Sequence, residues 1–347
     1  MSQPSDHAGV EPRIVASARY IPYARVAPDA SIEPVAATGI TAREVVMQAV
    51  YADTLRWREA RARCGEGDRP ASQVSLAADR PVANEPRMTL SDMALTVAQT
   101  LLDALPQRAE LTPDQIIVCT TSFEHDLALS CACRLHCELR SSRAPFAIGQ
   151  LQSVSFLMAL DVALAMMAVD TQIRAVLIVA AERWLPPFVR RVDALTVMGD
   201  GAAAVLIARS PIPGWRVRSL TIRTPGPGAF ASTDRGLIGA TTLTQAIDDA
   251  CTRAKLCAAD IDWILPPSAV EAQLIRELGA RSGLPVERIW HEDQDAHGHL
   301  CAADTPARLD ALLRSIAPSH GQCMLVSSLG FQGQAACALL DFRGENT

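Results

Sequence analysis

The chain has 347 residues, enough for one large domain or two intimate ones with an ample core. With 49% hydrophobic and 20% charged residues it has the composition of a globular protein, not a disordered one. Its net charge of −6 provides no basic footprint, which argues against nucleic acid as a partner.

In chain order, Met1–Asp6 lacks the apolar core of a signal peptide, and residues 1 to about 11 read as a loose tail. Ten cysteines are scattered along the chain, and Cys119 and Cys337 sit inside apolar runs, which points to buried reduced thiols and a cytoplasmic protein. A first strand is expected over Ile14–Tyr20. Residues 61–88, rich in Gly, Pro, Asp and Ala, read as a loop insertion. A helix is expected from Ser91, as N-cap, to Leu105. Strand Gln115–Thr120, helix Leu127–Leu139 and strand Phe146–Gln150 follow. Cys131, Cys133, His136 and Cys137 fall in that helix without the paired spacing of a zinc site, so no metal is expected there.

Gly149–Val169 is the most informative stretch. Its second part, Asp161–Val169, is apolar on every side except at Asp161, the pattern of a helix at the centre of a fold. It is shorter than the roughly 20 residues of a membrane span, and Asp161 and Asp170 interrupt it, so no membrane is expected. Ser153 then lies at a buried helix N-terminus, where unpaired N–H groups and the helix dipole favour negative charge. As a lone serine it would serve as a cap; as part of a site it would be a nucleophile. Strands at 175–180 and 202–208 complete a sheet covered on both faces.

The second half repeats this order. Residues 258–265 echo 111–120, helix 304–316 and strand 323–328 echo the central helix and strand 175–180, and Gly330–Gln334 before an apolar strand echoes Met198–Gly201. Gly298–Cys301 takes the place of Leu151–Ser153, so two buried helix starts are expected to face each other across a pseudo-twofold axis.

With Gly199-Asp200-Gly201-Ala202 before its strand, Ser153 in an S-x-x-F-x-x-A-L frame and the glycine turn at Gly330, the chain resembles the thiolase superfamily, and within it the β-ketoacyl-ACP synthase III-like enzymes, over roughly residues 12–343. The resemblance implies an α/β, five-layer αβαβα fold of two pseudo-symmetric halves, 12–209 with the nucleophile and 210–347 with the His and Asp. It also implies a homodimer with a phosphopantetheine-sized tunnel. The family's catalytic cysteine falls on Ser153, its histidine on Pro267 and its asparagine on His299. Ser153 is either a native serine that His299 can activate or an engineered replacement of a cysteine. Pro267 has no donor, so half of the enolate hole of a condensing enzyme is gone.

What remains is similar to a Cys/Ser-His-Asp subgroup from secondary metabolism. In it Ser153 would carry the acyl group, His299 would be the base, and Asp304, or else Asp293 or Asp295, would orient the imidazole. His125 is a further candidate for the lining. The N–H groups of Ser153 and Gly330 would hold the oxyanion. The expected reaction is acyl transfer from acyl-CoA or a phosphopantetheinyl acyl carrier protein, as substrate and not cofactor, to a small-molecule acceptor. The rivals are a starter-unit ketosynthase of a polyketide or fatty-acid pathway and a silent subunit of a heteromeric condensing enzyme.

Overall fold

The computed structural model describes residues 10–27, 80–106, 111–124, 128–185, 190–192, 196–226, 235–268, 283–292 and 297–344. The first half contains β1 (Arg13–Tyr20), β2 (Arg25–Val26), β3 (Val82–Ala83), α1 (Leu90–Asp103), β4 (Gln115–Thr120), α2 (Cys131–Leu139), β5 (Phe146–Gly149), α3 (Ser155–Val169) and β6 (Ala175–Glu182). The short β7 (Arg191–Val192) and β8 (Thr196–Val197) pair with each other before β9 (Gly201–Ala208). The second half contains β10 (Gly214–Arg223), α4 (Arg235–Ala254), β11 (Trp263–Leu265), α5 (Asp304–Ser315), β12 (Cys323–Leu329) and β13 (Ala335–Arg343).

Nine strands form one sheet in the order β11-β12-β13-β10-β1-β9-β6-β4-β5. It divides where β1 meets β10 through the single pair Ile14↔Trp215. Outward from that seam, β1-β9-β6-β4 and β10-β13-β12-β11 have matching order, and β11 carries a parallel bridge to Ile289 where β4 carries β5.

Alternation along each strand gives the layers. Ile117, Cys119, Val176 and Ile178 face a core shared with α3, α5 and the second half, whereas Ile116, Val118, Leu177 and Val179 face α1. In the second half Met324 and Val326 join the shared core and Leu325, Cys337 and Leu339 pack on α4. The result is the five-layer αβαβα arrangement of the thiolase-like fold, with α3 and α5 in the middle.

Several local expectations are corrected. The N-cap of α1 is Thr89, which shares a capping box with Asp92; Ser91 lies inside the first turn, where Glu124 accepts from its N–H and hydroxyl. The supposed insertion is part of the fold at its end, since Val82, Ala83 and Glu85 are buried and pair with the site region; residues 61–79 lie outside the described residues. Nor is α3 buried all round. Seven of its fifteen residues are buried, while Asp161, Ala165, Ala168 and Val169 are exposed, because only its first half is wedged between the half-sheets. By length and composition residues 152–169 could cross a membrane, but half of that stretch is buried in the protein. On α2, Cys131 is buried while Cys133 and Cys137 are exposed, and His136 Nδ1 lies 2.7 Å from Ser141 Oγ.

Candidate active site

After β5 the chain turns sharply. Gln150 and Gln152 both take left-handed backbone conformations, φ +64° and +54°, which are strained for residues with a Cβ. A 3₁₀ turn over Gln152–Val154 follows, and α3 starts at Ser155. Ser153 is thereby held at the amino end of α3, 3% exposed.

The second half repeats the turn. Cys301 is left-handed, φ +49°, a 3₁₀ turn spans Cys301–Ala303, and α5 starts at Asp304. Gln152 therefore corresponds to Cys301 and Ser153 to Ala302, which corrects the pairing expected from the sequence and puts His299 opposite Gln150. The two turns touch: the Thr305 hydroxyl donates to the Ser153 carbonyl at 3.5 Å.

His299 arrives from a separate backbone clamp. Its N–H donates to Val197 O and its carbonyl accepts from Gly199 N–H. A Cβ on Gly199 would lie 2.0 Å from His297 O, so only glycine allows this approach. Asp200 locks the clamp by accepting from the Glu85 and Trp184 N–H groups and pairing with buried Arg190 at 2.8 Å. Glu182, at the end of β6, accepts from the N–H groups of Thr121, Ser122 and Ala302, which ties the first-half sheet to the second-half turn. Burial raises its carboxyl above the ordinary value, against those hydrogen bonds.

Within this frame the Ser153 Oγ lies 3.2 Å from His299 Nε2, and both residues are buried. The other ring nitrogen, Nδ1, accepts the Cys301 N–H at 2.9 Å. A neutral imidazole with Nδ1 accepting carries its proton on Nε2, so His299 donates toward Oγ. Burial pushes the His299 imidazole below the usual histidine range, which favours this neutral form.

Two assigned roles do not match this geometry. Asp304 was expected to cap α5 and orient His299. Ala303 is the N-cap, the Asp304 Oδ1 accepts from Leu300 N–H at 3.2 Å, and Nδ1 has no proton for a carboxylate to hold. Burial would raise the Asp304 carboxyl, but the Arg308 charge with hydrogen bonds from Ser268 and the Leu300 N–H brings it below the usual value. Gly330 was expected to offer its N–H to an oxyanion. That N–H donates to Gln334 O at 2.8 Å and closes the turn on itself. The next N–H, of Phe331, donates to the Gln152 side-chain oxygen at 2.6 Å, and the Phe331 ring packs 5.0 Å from the His299 ring.

Pro267 is buried at the end of β11, and fully buried Arg308 donates to the neighbouring Pro266 carbonyl. His125, Asp293 and Asp295 lie outside the described residues. Among the described residues no group of three His, Cys, Asp or Glu side chains could hold a metal ion. Sequence reasoning missed Gln152, Glu182, Arg308 and Phe331. An acid ending an all-apolar strand was a legible sign for Glu182; the Gln152–Phe331 contact, between residues far apart in the chain, left none.

The fold is thiolase-like, and the residue at the amino end of its central helix α3 is a serine, Ser153. The family profile for 3-oxoacyl-[acyl-carrier-protein (ACP)] synthase III matches residues 150–226, and that for its C-terminal part matches 251–342. Over these two segments the chain is similar to the synthase III enzymes, an acyl-transferring family that uses acyl-ACP or acyl-CoA substrates. Among solved structures, the ChlB3 acyltransferase is similar over 96% of this chain and 98% of its own, with TM-score 0.70 and 19% identity. The 3-oxoacyl-(acyl carrier protein) synthase III FabH from Pseudomonas aeruginosa PAO1 covers 97% and 100%, with TM-score 0.67 and 18% identity. Cerulenin-bound OleA from Xanthomonas campestris covers 98% and 100%, with TM-score 0.67 and 16% identity.

Proposed function

We propose that the protein is an acyltransferase of secondary metabolism that carries the acyl group on Ser153. The observation that supports it is the Ser153–His299 contact at the amino end of α3. Ser153 Oγ attacks the thioester carbonyl of acyl-CoA or acyl carrier protein. The C–S bond breaks, and the hydroxyl proton passes to the departing thiolate, which gives acyl-serine and free thiol. The Nε2–H of His299 favours the second half-reaction: an acceptor hydroxyl or amine attacks the ester, and the serine oxygen leaves against a donor already in place. The acceptor's proton returns to that oxygen. No cofactor enters this scheme, and the donor thioester is substrate. The outward face of α3, with Val169 90% exposed, and the edge position of β5 support a homodimer.

Mass spectrometry of the intact protein after exposure to a panel of acyl-CoAs tests the proposal. An acyl adduct on the unmodified protein, lost in Ser153→Ala and kept or increased in Ser153→Cys, is expected. An adduct that persists in Ser153→Ala removes Ser153 from the role.

A second reading, the silent partner of an active homologue, is favoured by the engagement of His299 Nδ1 and Gly330 N–H, which leaves neither a base nor that oxyanion donor. It predicts no adduct with any donor, and recovery of activity only when an active homologue is co-expressed.

A further inference from the structure

Beside the nucleophile, one backbone donor already holds a carbonyl oxygen, and that oxygen comes from the residue next to Ser153. The Phe331 N–H donates to the Gln152 Oε1 at 2.6 Å. Three observations mark this contact as part of the site. Gln152 precedes the nucleophile in a left-handed conformation, φ +54°, that carries its side chain and Ser153 on one strained turn. The Phe331 ring lies against the ring of His299, whose Nε2 touches Ser153 Oγ. The neighbouring Gly330 N–H is used inside its own turn, so among these two consecutive donors only that of Phe331 reaches across to the nucleophile's turn.

An amide oxygen and the carbonyl oxygen of a thioester are acceptors of the same kind, and one N–H placed for the first is placed for the second. We infer that Gln152 is a further determinant of the acyl-transfer reaction: its side-chain amide occupies the Phe331 N–H in competition with the oxygen of the incoming acyl group, and it must swing away before Ser153 can be acylated. The inference rests on the acyl-serine reading proposed above. It accounts for a closed site, with Ser153 and His299 3% and 4% exposed, without any further moving part. It also assigns a chemical preference. Donors whose carbonyl oxygen is the stronger acceptor displace the amide more readily than weaker ones.

The test is the rate of Ser153 acylation by a saturating acyl-CoA donor, followed by intact mass, in the full-length protein and three variants. Gln152→Ala removes the amide and keeps a Cβ on the strained backbone; Gln152→Met removes the acceptor and keeps the bulk. Gln152→Glu keeps the reach and strengthens the acceptor. Acylation is expected to rise by roughly tenfold in the Ala and Met forms, about the worth of one hydrogen bond, and to be no faster than wild type in the Glu form. Thermal melting confirms that each variant is folded, and the Met form carries the test if the Ala form is not. A wild type that acylates while folded Ala and Met forms are no faster overturns the role of Gln152 and leaves the acyl-serine reading standing. If wild type and both folded variants remain unacylated across the donor panel, the acyl-serine reading falls and this inference falls with it. Acylation that appears only in the Ala and Met forms supports both.

Discussion

The Cys301 amide hydrogen points at Nδ1 of His299, and this one contact of 2.9 Å decides which end of the imidazole carries the proton. It converts the residue that the sequence suggests as a base into a donor. In histidine-labelled protein, nitrogen NMR at neutral pH is expected to show a protonated Nε2 and a bare Nδ1. The opposite tautomer would restore the general-base scheme. In the same vein, His299→Asn, which keeps an N–H donor near Oγ, should keep acyl turnover within about tenfold of wild type. His299→Phe should lose about 10²–10³, the effect of removing one preorganised donor.

Protonation of the two buried histidines should be visible in stability. Burial pushes the imidazoles of both His297 and His299 below the ordinary value of 6.5. As pH falls through that value the unfolded chain takes up protons before the folded one does. Their contribution is therefore complete above about pH 6.5 and is lost as pH falls toward the depressed folded values. Melting temperature should drop between pH 7.5 and 5.5, and drop less in a folded His297→Gln/His299→Gln form. Equal pH dependence in the two proteins would show that these histidines are not the source.

Much of this architecture was readable because burial on both faces leaves a plain signature. β4 was read to the residue, and β6 and β9 nearly so, because sheets covered on both sides need unbroken apolar strands. The place of Ser153 at a buried helix start followed from polar residues set against an apolar helix. The exposed half of α3 was misread because composition alone does not tell a core face from an exposed one. Asp304 and Gly330 were misassigned for a different reason. Their residue types suit an orienting acid and an oxyanion glycine, but whether an N–H or a lone pair is free depends on contacts with Leu300, Cys301 and Gln334, and such backbone contacts leave no residue pattern.

Asp304 is expected to matter to folding more than to the chemical step. It lies fully buried one turn from Arg308 and accepts from Leu300 N–H in the turn that carries His299. Removing one member of a buried opposite-charge pair leaves the other charge without it, at a cost of about 3–5 kcal/mol. Asp304→Ala should therefore lower unfolding free energy by about that amount in urea titrations. Asp304→Ala/Arg308→Met should cost less than the sum of the single changes, the sign of direct coupling. Additive costs would place the two side chains in separate networks.

Decarboxylation of a malonyl thioester separates acyl transfer from carbon–carbon bond formation. Releasing carbon dioxide leaves an enolate whose oxygen needs preorganised donors, and losing one typically costs about 10²–10³ in rate. At the end of β11 the chain offers Pro267, which has neither a backbone nor a side-chain donor, and the adjacent Pro266 carbonyl is itself an acceptor for Arg308. His299 supplies one Nε2–H, and that hydrogen already faces Ser153 Oγ. Carbon dioxide release from malonyl carrier protein should accordingly be slow. Pro267→His alone should not restore it, because His299 would still stand where a condensing enzyme has its asparagine; Pro267→His/His299→Asn should gain the most. Rapid release by the unmodified protein would overturn the acyltransferase proposal and make the starter-unit ketosynthase the better account.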